Sequence, residues 1–283
     1  ERRERPGDCK LARSGSDRDD PLLRTDIGNR ILICNREVFI MKTIHLRKLN
    51  AIMEVKSRTL FSKNLIIMPA FSLVFTWLLK MIYTNMYPDL DFGSYALSIG
   101  LLMNTSMTGI YCVAASLAEE KEKHTLRTLM TSSVNGLEFF IGSLLPALLL
   151  LMIVNVLCVF LAGVSFTPGG WIGFLFVTAV SSLISCITGM IFGIFAPNQM
   201  TAGTLTTPLL LVLMLIPMLS QMNDTLDTIS GYLFTGVLYE ALGNLNKGQP
   251  PITMKGTLVL ILEALISALL FLILYRKNGF ESN

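Results

Sequence analysis

The residues able to do chemistry are few in this chain, so their positions are informative. Five consecutive charges, Glu119-Glu120-Lys121-Glu122-Lys123, open a polar island from Glu119 to Gly136 between two long apolar runs. A lone acid, Glu263, sits in the last apolar run, and Asn104 and Asn155 are polar groups in earlier runs that could face it. An acid at membrane depth either marks a substrate or ion path or is held protonated or hydrogen-bonded in packing. The chain has no GxxxxGK[ST] phosphate loop, no GxSxG nucleophile turn and no HExxH pair, so no catalytic residue and no metal site is assigned. The two histidines, His45 and His124, are far apart in sequence. The five cysteines are scattered without CxxC spacing, as small buried hydrophobes are.

The elements that must carry these groups follow from composition. Of 283 residues, 52% are hydrophobic and only 15% charged, against about 25% charged in soluble domains. A net charge of +3 is too small to point to nucleic acid. Crossing the hydrocarbon takes about 20 apolar residues. Six runs qualify: Leu65 to Tyr83, Ser94 to Ala118, Phe139 to Val164, Trp171 to Phe195, Thr204 to Ser220 and Thr257 to Tyr275. Trp77 and Tyr83 suit interfacial anchors, and Lys80 is close enough to a span end to snorkel. Thr167-Pro168-Gly169-Gly170 reads as a tight turn and Ala196 to Gly203 as a polar connector. Gly189 and Gly193 form a GxxxG pair that suits close packing within the subunit. The fold class is an all-α membrane protein with six transmembrane helices.

Two further segments complete the layout. Lys42 to Lys63 reads as an N-terminal amphipathic surface helix, with Leu46, Leu49, Met53 and Leu60 on one face and Arg47, Lys48, Lys56, Arg58 and Lys63 toward headgroups. Gln221 to Gly256 is too long for a plain loop, and its middle, Ile229 to Leu242, is too short to span. It reads as an outer re-entrant or interfacial helical segment before the last span.

Residues 1–40 differ from the rest. They hold 17 charges, with eight Arg to one Lys, whereas the remainder holds four Arg to ten Lys. Arg36-Glu37-Val38 is what a purine-rich ribosome-binding site encodes in frame, and Met41 follows at a workable spacing. The expectation is that 1–40 is a non-native leader and 41–283 the six-span domain.

Six spans place both termini on one side. The segments on that side hold eleven Lys and Arg, against Lys80, Lys247 and Lys255 on the other. The positive-inside bias makes both termini and the island cytosolic, in a multi-pass protein of the cytoplasmic membrane.

Within the island, Leu126, Leu129, Met130 and Val134 recur at helical spacing, and Asn135-Gly136 is a stop. This is a short helix with an apolar face too narrow to fold alone. The segment resembles that of ABC exporter permeases of the type-two class, E-[KR]-E-x-x-T-L-x-x-L-x-x-[ST]-x-V. Glu120-Lys121-Glu122, Thr125-Leu126, Leu129, Ser132 and Val134 fall on the pattern, while His124 and Ser133 stand where Gly and Pro are frequent. The layout of 41–283 is also similar.

The resemblance implies a cytosolic coupling helix that docks on a separate ABC ATPase subunit. Leu126, Leu129 and Met130, beside His124 and Thr125, would insert there, and Glu119, Glu120 and Glu122 would pair with cations. Pro197, Asn198 and Gln199 would form a smaller second contact. It implies a dimer with a second permease copy or paralogue, two ATPase copies, and no cofactor on this chain, ATP and Mg belonging to the ATPase. Two other functions compete. An ion-coupled secondary transporter calls for broken helices and inverted repeats. An intramembrane enzyme calls for a second acid at the depth of Glu263.

Overall fold

The computed structural model describes residues 46–62, 65–87, 92–123 and 136–277. The described residues are helical throughout, without a strand. The helices are α1 (Leu46–Leu60), α2 (Ile67–Met86), α3 (Gly93–Glu122), α4 (Gly136–Ala162), α5 (Pro168–Phe195), α6 (Gln199–Leu219), α7 (Asp224–Ser230), α8 (Phe234–Asn246) and α9 (Met254–Lys277). Six are long and apolar enough to cross a membrane: α2, α3, α4, α5, α6 and α9.

Burial ranks the six. In the apolar window of α3, 83% of residues are buried, and in α5 61%, against 17% in α2 and 22% in α9. α3 and α5 are therefore the axis of the bundle, and the others wrap it. The axis is tight because it is built from small residues. A Cβ on Gly189 of α5 would stand 2.6 Å from the Ile110 carbonyl oxygen of α3, and one on Gly193 would stand 3.0 Å from Leu117. The GxxxG pair is thus a seam inside this chain, where small residues let backbones meet.

Local chemistry sets the helix ends. Gly163, at φ +70°, ends α4 in the left-handed region that glycine tolerates. Thr167 then caps α5, its hydroxyl accepting from the Gly170 N–H at 3.2 Å, with Pro168 at the first helical position. Thr167 to Gly170 is therefore a helix start and not the turn that the Pro-Gly-Gly composition suggests. Asn198 caps α6 through its side-chain oxygen, which accepts from the Thr201 N–H at 2.8 Å. α6 accordingly begins at Gln199, inside the stretch expected to be a polar connector. Tyr83, expected at the interface, stacks on Phe92 with ring centroids 5.0 Å apart.

α1 packs along α4. Its buried stripe is Ile52, Lys56 and Leu60, at i, i+4 and i+8. Lys56 therefore faces the bundle and not the headgroups, and Met53 lies at the edge of the buried face. The side chains of Leu46 and Leu49 lie outside the described residues.

Between α6 and α9 the chain forms the expected helical segment, as two short helices. α7 packs back on α6. α8 buries Phe234, Val237, Leu238, Ala241 and Leu242, one face at helical spacing, against α3 and α5. A Cβ on Gly236 would overlap the Ser230 carbonyl, so only glycine fits this turn.

Candidate functional site

The last turn of α3 carries the five consecutive charges. Successive residues on a helix point about 100° apart, so Glu120, Lys121 and Glu122 fan outward. The bundle supplies a partner in each direction. Glu120 meets the Lys56 ammonium of α1 at 2.7 Å, with side chains only 9% and 5% exposed. Lys121 donates to the carbonyl oxygens of Gly193, at 3.0 Å, and Ile194, in the last turn of α5. Glu122 accepts from the Gln199 N–H, the first residue of α6, at 3.3 Å. Glu119 and Lys123, four apart, pair on the outer side of the same turn.

The signs are matched as well as the positions. The C-terminal end of a helix is the negative pole of its dipole and the N-terminal end the positive pole. Lys121 sits on the former and Glu122 on the latter. Glu120 and Lys56 neutralise each other where water is excluded. Burial pushes the Lys56 ammonium below its ordinary pKa, and the Glu120 carboxylate opposes that shift. The junction therefore joins α1, α3, α5 and α6 through three neighbouring residues.

Of the expected docking residues, Glu119, Glu120 and Glu122 are placed here. Glu120 is turned into the bundle toward Lys56, a partner 64 residues away in sequence. Of Pro197, Asn198 and Gln199, Gln199 is bonded to this turn through its backbone N–H, and the other two directly precede it in the chain. His124, Thr125, Leu126, Leu129 and Met130 lie outside the described residues. No sequence signal marked Lys56 as a member, because its position on α1 reads as one more surface cation.

The polar groups in the spans meet, in a different pairing from the one expected. Asn104 donates to the Asn155 side-chain oxygen at 2.7 Å and to the Leu151 carbonyl at 3.3 Å. Asn155 donates to the Ser182 hydroxyl at 3.4 Å. Asn104 also begins a π-helical stretch, Asn104–Cys112, in the middle of α3. Its wider turns loosen the backbone ladder, and the Thr105 carbonyl takes a bond from the Ser185 hydroxyl of α5. A polar layer thus crosses α3, α4 and α5 inside the bundle.

Glu263 stands near a different element, the start of α8 at Phe234, and its Oε2 is buried with no hydrogen-bond partner among the described residues. Leu233, which precedes α8, offers no side-chain cap. Gly256 of α9 meets Val237 of α8, and Glu263 lies seven residues, about two turns, further along α9.

The described residues hold a polytopic helical bundle whose charges are concentrated at helix ends. By helix length and composition this is the class of polytopic membrane proteins. Residues 80–276 match the family model described as ABC-2 family transporter protein, and the chain belongs to that family of ABC transporter permeases. No curated protein matches it.

Proposed function

We propose that this chain is the transmembrane subunit of an ATP-driven exporter, energised at the junction on the last turn of α3. The supporting observation is the three-way tie of Glu120, Lys121 and Glu122 to α1, α5 and α6. A push on the segment that follows residue 123 is delivered at once to three other helices. A loop hanging freely from one span would dissipate it.

In this reading the junction is cytosolic, from the surplus of Lys and Arg on its side. A soluble ABC ATPase docks on residues 119–130. Leu126, Leu129 and Met130 fill an apolar recess beside His124 and Thr125, and Glu119 and Glu122 face cations. Pro197, Asn198 and Gln199 extend the contact. ATP and Mg are bound by the ATPase. Two permease copies, or this chain and a paralogue, form the pathway in the cytoplasmic membrane, and two ATPase copies close beneath them. The scarcity of charge in the spans suits an amphipathic or apolar substrate.

The test is co-purification with a candidate ATPase, followed by ATP hydrolysis in lipid. Leu126→Asp is expected to abolish co-purification while leaving the permease folded, and Glu119→Ala/Glu122→Ala to lower substrate-stimulated hydrolysis severalfold. Normal assembly and hydrolysis in both variants would overturn the docking role.

A further inference from the structure

At the end of the bundle opposite the junction, α7, α8 and the facing ends of α6 and α9 enclose a cleft of about 480 Å³. In a chain that is half hydrophobic, none of the side chains lining this cleft is aliphatic. Four of them are charged: Asp227, Glu240, Lys247 and Lys255. None of the four is ion-paired with another described residue. Glu240 accepts only from the Thr253 hydroxyl at 3.0 Å, and Lys255 rests over the Tyr232 ring at 4.6 Å with its N–H donors still available. Two carboxylates and two ammoniums around one cavity suit a ligand that carries both signs.

A second observation points to an occupant. Glycine weakens a helix interior relative to alanine, and at Gly100, Gly109, Gly173, Gly189 and Gly193 a Cβ would press on a neighbour. Gly243, in α8 and on the wall of the cleft, has none within 4 Å. It keeps space open and makes no close approach.

The site also lies at a particular level. Ser220 and Gln221 follow directly on the last turn of α6, and Lys255 and Gly256 belong to the first turn of α9. This is where an apolar span meets the headgroup layer. Within a few residues of the cleft both helices expose aliphatic side chains, Leu215 and Met218 on α6 and Leu258 and Ile261 on α9. α6 and α9 each pack on α5 and on α8, with at most marginal contact between them.

We propose that this cleft binds the zwitterionic headgroup of a phospholipid. Lys247 and Lys255 meet the phosphate, Asp227 and Glu240 meet the ammonium, and the acyl chains lie along the exposed faces of α6 and α9. The proposal does not depend on ATP coupling, so its failure would leave the permease reading untouched.

The full-length chain, purified in a non-ionic detergent, is titrated with short-chain phosphatidylethanolamine, short-chain phosphatidylglycerol, phosphoethanolamine and a zwitterionic dipeptide, with bound ligand counted by native mass spectrometry. The expected result is preferential binding of one phosphatidylethanolamine, displaced by phosphoethanolamine. Gly243→Leu starts from a Cβ with open space around it and is expected to keep its melting temperature while losing at least tenfold in affinity. Lys247→Gln/Lys255→Gln, at two exposed positions, is expected to lose as much and carries the test if Gly243→Leu does not fold. Gly243→Ala, too small to fill the cleft, should bind within twofold of the parent. Equal binding of phosphatidylglycerol overturns the zwitterion assignment. Parent-like binding by the folded variants overturns the location, and binding of the dipeptide but not of the lipid overturns the headgroup.

Discussion

The two ends of the bundle use the same residue types to opposite effect. At the junction, acids and lysines alternate along one helical turn and each finds a partner: a counter-charge, a helix C-terminus or a helix N-terminus. At the opposite cleft, two acids and two lysines surround a cavity without ion-pairing to one another. A charge that is buried and neutralised resists displacement, because moving it exposes the desolvation cost of both ions. A charge left at the rim of a cavity costs little to keep and remains available to a ligand. The junction is therefore built as a rigid attachment and the cleft as a place to bind.

The largest test of that contrast is Glu120→Ala. It removes one partner of a buried ion pair, which should cost about 3–5 kcal/mol, read as a fall in stability by denaturant or thermal unfolding in detergent. The double variant Lys56→Met/Glu120→Leu should recover most of the loss, since a packed apolar pair replaces a buried ion pair at little cost. A single-variant loss under about 1 kcal/mol, the range of surface pairs, would show that the junction is not the locked element described here.

A pair of glycines sharpens the same contrast. Gly189→Ala forces a methyl group to within 2.6 Å of the Ile110 carbonyl. Overpacking of this kind should cost about 1–3 kcal/mol, and the same measurement would detect it. Gly243→Ala meets open space and should be neutral or stabilising by up to about 1 kcal/mol through helix propensity. Equal effects at the two positions would contradict the distinction between a packed axis and an open cleft.

The smallest effect is expected at the helix ends. Glu122→Gln removes the negative charge at the start of α6, and Lys121→Met removes the cation at the end of α5. Each should lower stability by about 0.3–1 kcal/mol, the range of a helix-dipole interaction, and the loss from Glu122→Gln should shrink in high salt. A loss at Glu122 that does not change with salt would mean that the exposed carboxylate acts through packing instead.

Much of this architecture was legible in the residues. The run lengths marked six spans because the hydrocarbon thickness sets a minimum apolar length. α2, α3, α4, α5 and α9 appear within a few residues of the expected ranges. α6 began earlier because one capping asparagine extends a helix into polar sequence. The cluster at 119–123 was visible as charge. What it holds was not, because Lys56 lies 64 residues away and Gly193 lies 72 residues away. Glu263 stood out as an acid in an apolar run, but the asparagines expected to face it pair with each other. Glu263 stands instead near the start of α8, 29 residues earlier in the chain, a proximity that no local side-chain pattern reveals.

The sequence by itself therefore determined what each segment must do locally: which runs enter a membrane, which turn is charged, where small residues let helices approach. Those properties depend on neighbours within a few residues, and periodicity and composition record them. Only the tertiary structure decided which charges are spent on one another and which stay available. That choice depends on the direction each side chain takes from its helix and on what stands opposite. It made Lys56 a buried strut, set Glu263 beside the start of another helix, and left Lys247 and Lys255 on the open side of a cleft.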